Sequence, residues 1–576
     1  MAIVMDVEES RKTRKDRLVA RVPSSLKDYI KRVANGAFTY SKAVGGWTAP
    51  FEPKLIGMVE ERFADLEDVK FTPRLTAYLK KLKSTQEQII GSPLKCDPLF
   101  PDDSLMEFQR GSVRFLSTAK KCVLTHDMGL GKTVIACRAI QYNNIRKAII
   151  IAPNSVKWAW VDHLYEWADW QDPVYVVDTK KIDDNRFTLI TGNKQNREAQ
   201  IGDFVFNQGE GILVMNYEQA RIHGDLLQRG LYDALIIDEA HRIKGRQAQR
   251  TKIITNIAKQ AAYVWMLTGT LIRNNYDDPY TLLHICDDTR FSGYWNFVKA
   301  HLSTSVNVFG GMDIIGMRNA EAYQRMLSVY TYGKKKKEVM PQLPPKIYHE
   351  IPLPMNKDQR EKYKEMEDTF LVELQSLGAE DNPELLAADS VATQLLRLRQ
   401  LCLWPGMVDV AGSSAKLDYL EDLFKELMEE GRTFLVFTWF RGFAEAVNNL
   451  LLELDIPSGM IIGGQDSSER HETVTALNDG RIRAITGTIG SMGEGLNLQK
   501  ANTVVFTDQD WVPANNSQAE DRVHRANTVK SPQIIKIYHP FSVEEDVRAV
   551  CARKEHRISK SSAMVETARN MIYRNK

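Results

Sequence analysis

Thr125-His126-Asp127-Met128-Gly129-Leu130-Gly131-Lys132-Thr133 sits between two apolar runs, Cys122-Val123-Leu124 before it and Val134-Ile135-Ala136-Cys137 after it. The first run is short and apolar enough for a buried strand, and the second can open a helix. A Gly-x-Gly-Lys-Thr turn at a strand-to-helix junction predicts a phosphate cradle. Its glycines let backbone N–H groups approach phosphate oxygens, and the helix N-terminus adds positive potential. Lys132 is placed to reach the β- and γ-phosphates of a nucleotide, and the Thr133 hydroxyl to bind Mg2+. The full pattern asks for a glycine five residues before Gly131, where His126 stands. On this stretch alone, a glycine-rich turn that binds nothing is the competing reading.

Working outward, the runs Ala148–Ala152, Gly211–Met215 and Ala234–Ile237 are continuously apolar, as in parallel strands buried on both faces. Each ends in polar residues, where ligands bind in such sheets. Residues 290–415 break this alternation: Lys357–Leu377 and Pro383–Leu401 are helical by spacing, and Pro341-Gln342-Leu343-Pro344-Pro345 is a stiff linker. Alternation resumes with Thr433–Phe437, Met460–Ile462, Arg483–Thr486, Thr503–Phe506 and Ile534–Ile537, a second α/β unit without a phosphate loop of its own.

The chain of 576 residues is too long for one core. Its 76 basic and 74 acidic residues nearly cancel, so a polyanion would be held by local patches. The six cysteines show no Cys-x-x-Cys, which excludes a cysteine-built zinc site and fits a reducing compartment. No apolar run is long enough to span a membrane, and no signal-peptide core opens the chain. A cytoplasmic protein is expected, nucleoid-associated or in a host cytoplasm if viral, with no membrane partner. In the first 95 residues, Arg11, Lys12, Arg14, Lys15, Arg17 and Arg21 precede a stretch with Phe38, Tyr40, Trp47 and Phe51. That pattern suits either a nucleic-acid contact, with cations on phosphate and aromatics on bases, or a solvated tail and a small packed subdomain.

A second motif decides the reading of the first. Leu235-Ile236-Ile237-Asp238-Glu239-Ala240-His241 puts two carboxylates at the end of a buried strand. Phosphoryl transfer from ATP to water needs a metal anchor and a group that orients and deprotonates water. Asp238 suits the Mg2+ role, alongside Thr133, and Glu239 suits the general base.

With both motifs in place, the chain resembles the SWI/SNF-like (sucrose non-fermenting) DNA translocases of helicase superfamily 2, from about Leu105 to Asp546. Leu105-x-x-Phe108-Gln109 resembles the family's adenine-reading motif. Ala152-Pro153-Asn154-Ser155, with Trp160 beyond it, and Asn216-Tyr217-Glu218 resemble its two strand-contact motifs. Thr268-Gly269-Thr270 resembles the motif coupling ATP state to DNA grip, and Gln342-Leu343-Pro344-Pro345-Lys346 the linker between motor lobes. In the second half Phe437-Thr438-Trp439-Phe440, Gly493-Glu494-Gly495-Leu496-Asn497-Leu498 and Gln518-Ala519-Glu520-Asp521-Arg522-Val523-His524-Arg525 fit.

Arg522 and Arg525, three residues apart, are expected on one helical face. The resemblance implies that they reach across a cleft to ATP on the first lobe, where an arginine finger is worth roughly 10³–10⁵ in turnover. It implies catalytic roles for Lys132, Asp238, Glu239, Arg522 and Arg525. Nucleotide contacts would come from Gln109, His126, Asp127, Met128, Gly129, Leu130, Gly131, Lys132, Thr133 and Gly495, and coupling from His241, Thr268, Gly269, Thr270 and Gln518. Asn154, Ser155, Thr438 and Thr488, near sheet ends, are the expected nucleic-acid contacts, made to phosphate and largely independent of sequence.

Departures are few. His126 and Asp127 stand for the family's usual Asp and Glu, Leu271 for a proline, Val512 for an asparagine, and Ala526-Asn527-Thr528 for Ile-Gly-Gln. None removes a catalytic group. Lys334–Lys337 stands near the family's Arg-Arg pair, as a phosphate contact or as solvated charge.

The resemblance implies an α/β fold: two tandem RecA-like parallel-sheet lobes with helical insertions and a small N-terminal extension. The expected divisions are 1–95 accessory, 96–290 first lobe, 291–340 its helical protrusion, 341–415 linker and second helical protrusion, 416–545 second lobe, and 546–576 a C-terminal helical brace. The implied function is ATP-driven movement along duplex DNA, as a monomer using ATP and Mg2+, with remodelling of protein–DNA complexes or branched DNA in repair or recombination. A strand-unwinding DNA or RNA helicase would share this ATPase core, and an ATP-gated binding module is the reading from a different class. The latter has no need of a water-activating base.

Overall fold

The computed structural model describes residues 3–9, 16–22, 38–42, 44–50, 69–94, 104–178, 186–206, 210–269, 271–272, 275–306, 312–376, 389–493, 496, 498–525, 528 and 530–552. An N-terminal sheet holds β1 (Ile3–Glu9), β2 (Asp16–Arg21), β3 (Thr39–Ser41), β4 (Gly46–Pro50) and β5 (Val69–Phe71), in the order β3-β4-β2-β1-β5. Alternate residues of β1, namely Ile3, Met5 and Val7, turn inward onto Leu18, Phe38, Trp47, Leu75 and Leu79. The helix Pro73–Gly91, opened by Thr72 as N-cap and a proline in its first turn, closes this core. Arg114 of the first lobe then donates to the Pro93 carbonyl at 3.0 Å, fixing the small domain to the larger one.

That arrangement changes the reading of the first 95 residues. Arg17 lies opposite Glu8 on the β1–β2 ladder and Arg21 opposite Val4, and both pair with Glu8. Phe38 and Trp47 are core, leaving Tyr40 exposed against the Trp47 edge. Arg11, Lys12, Arg14, Lys15 and Phe51 lie outside the described residues.

The first lobe is an eight-stranded parallel sheet: β6 (Lys121–Leu124), β7 (Lys147–Ala152), β8 (Val174–Val177), β9 (Thr188–Ile190), β10 (Gly211–Asn216), β11 (Tyr232–Asp238), β12 (Ala261–Leu267) and, from much later in the chain, β15 (Thr331–Tyr332). Its order is β15-β6-β12-β11-β7-β10-β8-β9. The apolar runs are continuous because both faces are covered: Ala148, Ile150 and Ala152 enter one core, Ile149 and Ile151 the other. Each of these isoleucines contributes about 1.5–3 kcal/mol on burial.

The segment expected as a helical protrusion, 291–340, is only partly helical. It carries an antiparallel ribbon, β13 (Leu302–Val306) with β14 (Met312–Met317), and, before the short helix Lys336–Val339, β15, an edge strand of the first-lobe sheet itself. The linker likewise runs directly into β16 (Ile347–Pro352), which pairs parallel with β21 (Gln533–Tyr538). With β17 (Phe434–Thr438), β18 (Ser458–Ile461), β19 (Ala484–Thr488) and β20 (Thr503–Phe506), these form the second parallel sheet, in the order β16-β21-β20-β17-β19-β18. The two lobes are RecA-like in this arrangement of parallel strands and flanking helices.

The helices Lys357–Ser376 and Asp389–Leu403 pack together with Val543–Ala552 through Tyr363, Phe370, Leu395, Leu398, Val543, Val547 and Val550. Among the described residues, the start of the expected C-terminal brace therefore supports the second lobe's own helices. The remainder of that brace, 553–576, lies outside the described residues.

Candidate functional site: a cleft between the two lobes

Strands β6, β12 and β11 are neighbours in register, with Leu124 beside Leu267 and Leu267 beside Asp238. Their carboxyl ends therefore bring three segments to one edge: the glycine-rich loop after Leu124, Thr268-Gly269 after Leu267, and Glu239 after Asp238. Thr268 N–H donates to the Leu124 carbonyl at 3.0 Å, tying the second segment to the first.

The loop turns through Gly129 and Gly131 at φ +79° and +75°, conformations that side chains with a Cβ rarely adopt. A Cβ on Gly131 would stand 2.7 Å from Gln109 Nε2, so the glutamine lies directly on the loop. Gln109 accepts from Met106 N–H at 3.0 Å and donates to Leu130 O at 3.3 Å. Lys132 opens the helix Lys132–Tyr142 and curls back, its Nζ donating to the His126 and Asp127 carbonyls at 2.9 and 3.3 Å. Burial pushes its pKa down, against the opposing pull of Glu239 and Asp238. Thr133 stands half-buried beside it.

His126 does not face the phosphate side of the loop. It is fully buried, its ring against Phe108 and Tyr332. Its Nδ1 accepts from Lys334 N–H at 2.9 Å, so the proton sits on Nε2 and is donated to Ser112 Oγ at 2.7 Å. Burial, aided by Lys132 and Lys334, pushes its pKa down to about 3. The departure from the family's usual residue is a packing device. Its side chain is withdrawn from the expected nucleotide contacts.

Asp238 and Glu239 are both buried. Asp238 accepts from Trp160 Nε1 and from Glu239 N–H, each at 2.9 Å. Burial and the neighbouring Glu239 carboxylate raise its pKa. Glu239 adopts a left-handed backbone at φ 52°, a strain of order 1–3 kcal/mol of the kind stored at functional sites. Burial would raise its pKa, but His241, Lys132 and Arg522 together carry it below the usual carboxylate range. His241 Nδ1 lies 3.2 Å from Glu239 Oε2 and 3.3 Å from Thr268 Oγ1, joining the carboxylate to the Thr268-Gly269 segment.

The second lobe closes over this edge. The helix Pro513–Glu520 stops one residue before Asp521, so Arg522 and Arg525 sit in the turn that follows it and not on a helical face. Arg522 Nη2 lies 3.4 Å from Met128 Sδ, and Nη1 donates to Leu496 O at 3.4 Å. Arg525 Nη2 donates to the same carbonyl at 2.5 Å, and its side chain lies against Gly129. Met128 also touches Gly269, so it is wedged between the Thr268-Gly269 segment and the arginine turn. Among the described residues, Arg522 Nε, Arg525 Nε and the buried Gln518 Nε2 have no partner. Buried donors left unpaired are costly, and two adjacent guanidinium groups call for an anion between them. A triphosphate beside the glycine loop fits that demand.

Two family models match the chain: the SNF2-related domain over residues 66–407 and the helicase conserved C-terminal domain over 415–527. The chain belongs to the SNF2 family of superfamily 2 helicases. Membership implies the use of a nucleotide. This SNF2-family chain is similar to the mouse (Mus musculus) DNA annealing helicase and endonuclease ZRANB3, 26% identical over 436 residues covering 75% of this chain and 38% of that protein. It is also similar to the CHD3-type chromatin-remodeling factor PICKLE of Arabidopsis thaliana, at 24% over 491 residues, 79% of this chain and 34% of that one. It thus spans well under half the length of the curated relatives it matches. Among solved structures, the Sulfolobus solfataricus SWI2/SNF2 ATPase core in complex with dsDNA matches at 20% identity and TM-score 0.34, covering 80% of this chain and 93% of that one.

The expected strand contacts separate into two kinds. Asn154 is exposed at the end of β7 and accepts from Asn216 Nδ2, at the end of β10, at 3.1 Å. Ser155 follows it in a single helical turn, Asn154–Val156. Thr488, half-buried at the end of β19, donates to Ser491 Oγ at 2.9 Å. Thr438 is different: it is fully buried, and its hydroxyl donates to Asp508 Oδ1 at 2.8 Å. Its side chain is a brace, closed off from any strand. Thr270 and Gly495 lie outside the described residues. Among the described residues no helix is long and apolar enough to cross a membrane.

Sequence reasoning passed over Arg399 and took Lys336 only as part of the run Lys334–Lys337. Arg399 is buried against Asp508 at 2.8 Å, with Trp511 and Trp439 rings 4.7 and 5.3 Å away. A single arginine in register with Val391, Leu395 and Cys402 on the apolar face of Asp389–Leu403 was the available signal.

Proposed function

We propose that this chain is an ATP-dependent DNA translocase whose hydrolytic site is shared between the lobes. The observation that carries this reading is the meeting of Lys132, Asp238 and Glu239 with Arg522 and Arg525 in one buried cleft, two cations of which still have unpaired donors. Gln109 and the loop from Asp127 to Thr133 would hold the nucleotide, with Thr133 and Asp238 anchoring Mg2+. The metal supplies charge neutralisation on the phosphates. Glu239, held ionised by His241, would orient and deprotonate water. Arg522 and Arg525 would offset charge on the transferred phosphoryl group. Gly495 would add to the nucleotide contacts, and His241, Thr268, Gly269, Thr270 and Gln518 would couple closure of the lobes to the nucleotide.

DNA is the proposed track, duplex or branched, gripped through phosphate by Asn154, Ser155 and Thr488. Relatives described as a DNA annealing helicase and as a chromatin-remodelling factor support that choice. The testing experiment is ATP turnover without nucleic acid and with single-stranded, duplex and branched DNA and RNA, using Glu239→Gln as the blank. Stimulation chiefly by duplex or branched DNA is expected. Stimulation only by single strands or RNA would replace this reading with a strand-unwinding helicase. No turnover above the blank would leave an ATP-gated binding module.

A further inference from the structure

A second contact between the lobes runs beside the arginine pair, through the segment after β15. This segment zips along the start of the glycine loop: Thr125 N–H donates to Tyr332 O at 2.8 Å, and Asp127 N–H to Lys334 O at 3.0 Å. In return Lys334 N–H donates to His126 Nδ1, and Lys336 N–H to Asp127 Oδ2, both at 2.9 Å. The backbone at 332–336 is thereby fixed to the loop at every second residue, 332, 334 and 336. Having donated its own N–H to the loop, Lys336 sends its side chain into the other lobe. Its Nζ donates to His524 O at 2.6 Å and pairs with Asp521 Oδ1 at 2.9 Å, with the side chain 9% exposed. Those two acceptors flank Arg522 in sequence and belong to the turn that also carries Arg525.

Asp521 is held from a second side by Lys346 at 2.9 Å, and Glu520 takes Lys346 at 3.0 Å and Lys536 at 2.8 Å. His524 Nε2 donates to Pro344 O at 2.8 Å, so the linker grips the same turn. A lysine this buried faces a desolvation penalty that its ion pair offsets only in part. An apolar side chain of similar length would pack as well. What the apolar side chain would not supply is a fixed distance between the loop and the arginine turn.

We propose that Lys336 is a positioning residue, a strut that sets the arginine turn against the glycine loop. This rests on the reading of Arg522 and Arg525 as phosphoryl contacts, and adds the device that places them. Any displacement of Asp127 would pass through two consecutive contacts, backbone then side chain, to the residues on either side of Arg522.

The test is hydrogen exchange on the full chain without nucleotide or DNA, comparing wild type with Lys336→Met, together with DNA-stimulated turnover. Peptides covering 518–525 and 126–131 should exchange at least about threefold faster in the variant, while a peptide within β11 keeps its protection, which shows that the lobe is folded. In turnover, kcat should fall about tenfold with KM for ATP within about twofold, and Lys336→Met with Arg522→Ala should be no slower than Arg522→Ala alone. Lys336→Gln, which keeps a donor toward His524 O, should lie between and serves if the methionine variant does not fold. Unchanged exchange in both peptides overturns the proposal, as does a double variant slowed by the full product of the single effects. If the wild type shows no turnover while the exchange result holds, the strut stands and the phosphoryl reading of the arginines fails.

Discussion

Two arginine-centred clusters in this chain are both buried, and they differ in what surrounds the charge. Arg399, inside the second lobe, has its carboxylate: Nη2 meets Asp508, which also accepts from Thr438 Oγ1 and Trp439 N–H at 2.8 and 2.9 Å. Indole rings cover the rest of its plane. Arg522 and Arg525, at the cleft, meet a thioether, a shared carbonyl and each other, with no carboxylate in hydrogen-bonding range among the described residues. Among the described residues both clusters leave donors over, Nε and Nη1 at Arg399 and Nε at Arg522 and Arg525. The first has its counter-charge within the protein, whereas the second lacks one and faces a glycine turn. A buried cation whose counter-charge is supplied by the fold is a brace, and one whose counter-charge is missing is a binding group.

The largest expected effect concerns the chemistry at the incomplete cluster. Glu239→Gln should lower kcat by about 10²–10⁴-fold, with nucleotide affinity retained, measured by single-turnover hydrolysis and equilibrium binding. Retained turnover would remove Glu239 as the base. Next comes stability, where the two arginines should diverge. Arg399→Leu strands Asp508 and should cost about 3–5 kcal/mol in urea unfolding. Arg522→Met, by contrast, should change stability by less than about 1 kcal/mol, or raise it, since it removes an unsatisfied charge. Equal losses at both positions would break the distinction.

Acid sensitivity gives a third comparison. His126 has an ordinary pKa of 6.5 that falls to about 3 in the folded protein, chiefly through burial. The unfolded chain therefore binds the extra proton first, so this histidine's contribution to stability is intact above pH 6.5 and declines as pH falls toward 3. His126→Gln should flatten that part of the stability–pH curve, read from thermal unfolding in steps of pH. An unchanged slope would contradict the buried neutral ring. The smallest effects separate brace from contact in the second lobe and the first. Thr438→Val should cost about 1 kcal/mol of stability and leave DNA affinity unchanged. Asn154→Ala should leave stability alone and weaken DNA binding by a few-fold, about 1 kcal/mol. The opposite pattern would restore Thr438 as a strand contact.

These contrasts also mark what could be read from the chain alone. The strands at 148–152, 234–237 and 434–437 were legible because burial on both faces leaves no polar interruption. Edge strands β15 and β16 were not, since Thr331-Tyr332 is two residues long and β16 carries exposed polar residues. The glycine loop and the Asp238-Glu239 pair were legible because phosphate chemistry constrains residue type at fixed spacing. Lys334–Lys337 read as a solvated or phosphate-facing charge run, because nothing local shows that Asp521 will meet Lys336 from 185 positions away. Thr438 read as a contact because its place at a strand end is visible in sequence, while Asp508, which claims its hydroxyl, comes just after the neighbouring strand β20, 70 positions further along the chain. His126 was taken with its loop, and the Lys334 amide, the Ser112 hydroxyl and the rings of Phe108 and Tyr332, none near it in sequence order, are what turn its ring inward.

The central claim is that one hydrolytic site is built from both lobes and answers to DNA. The most direct measurement is ATP turnover with and without duplex DNA, wild type beside Arg525→Ala, at matched nucleotide occupancy. Strong DNA stimulation of the wild type and a fall of about 10³-fold or more in the variant, with ATP still bound, are the expected results. An Arg525→Ala protein that hydrolyses ATP at the wild-type, DNA-stimulated rate would contradict the claim.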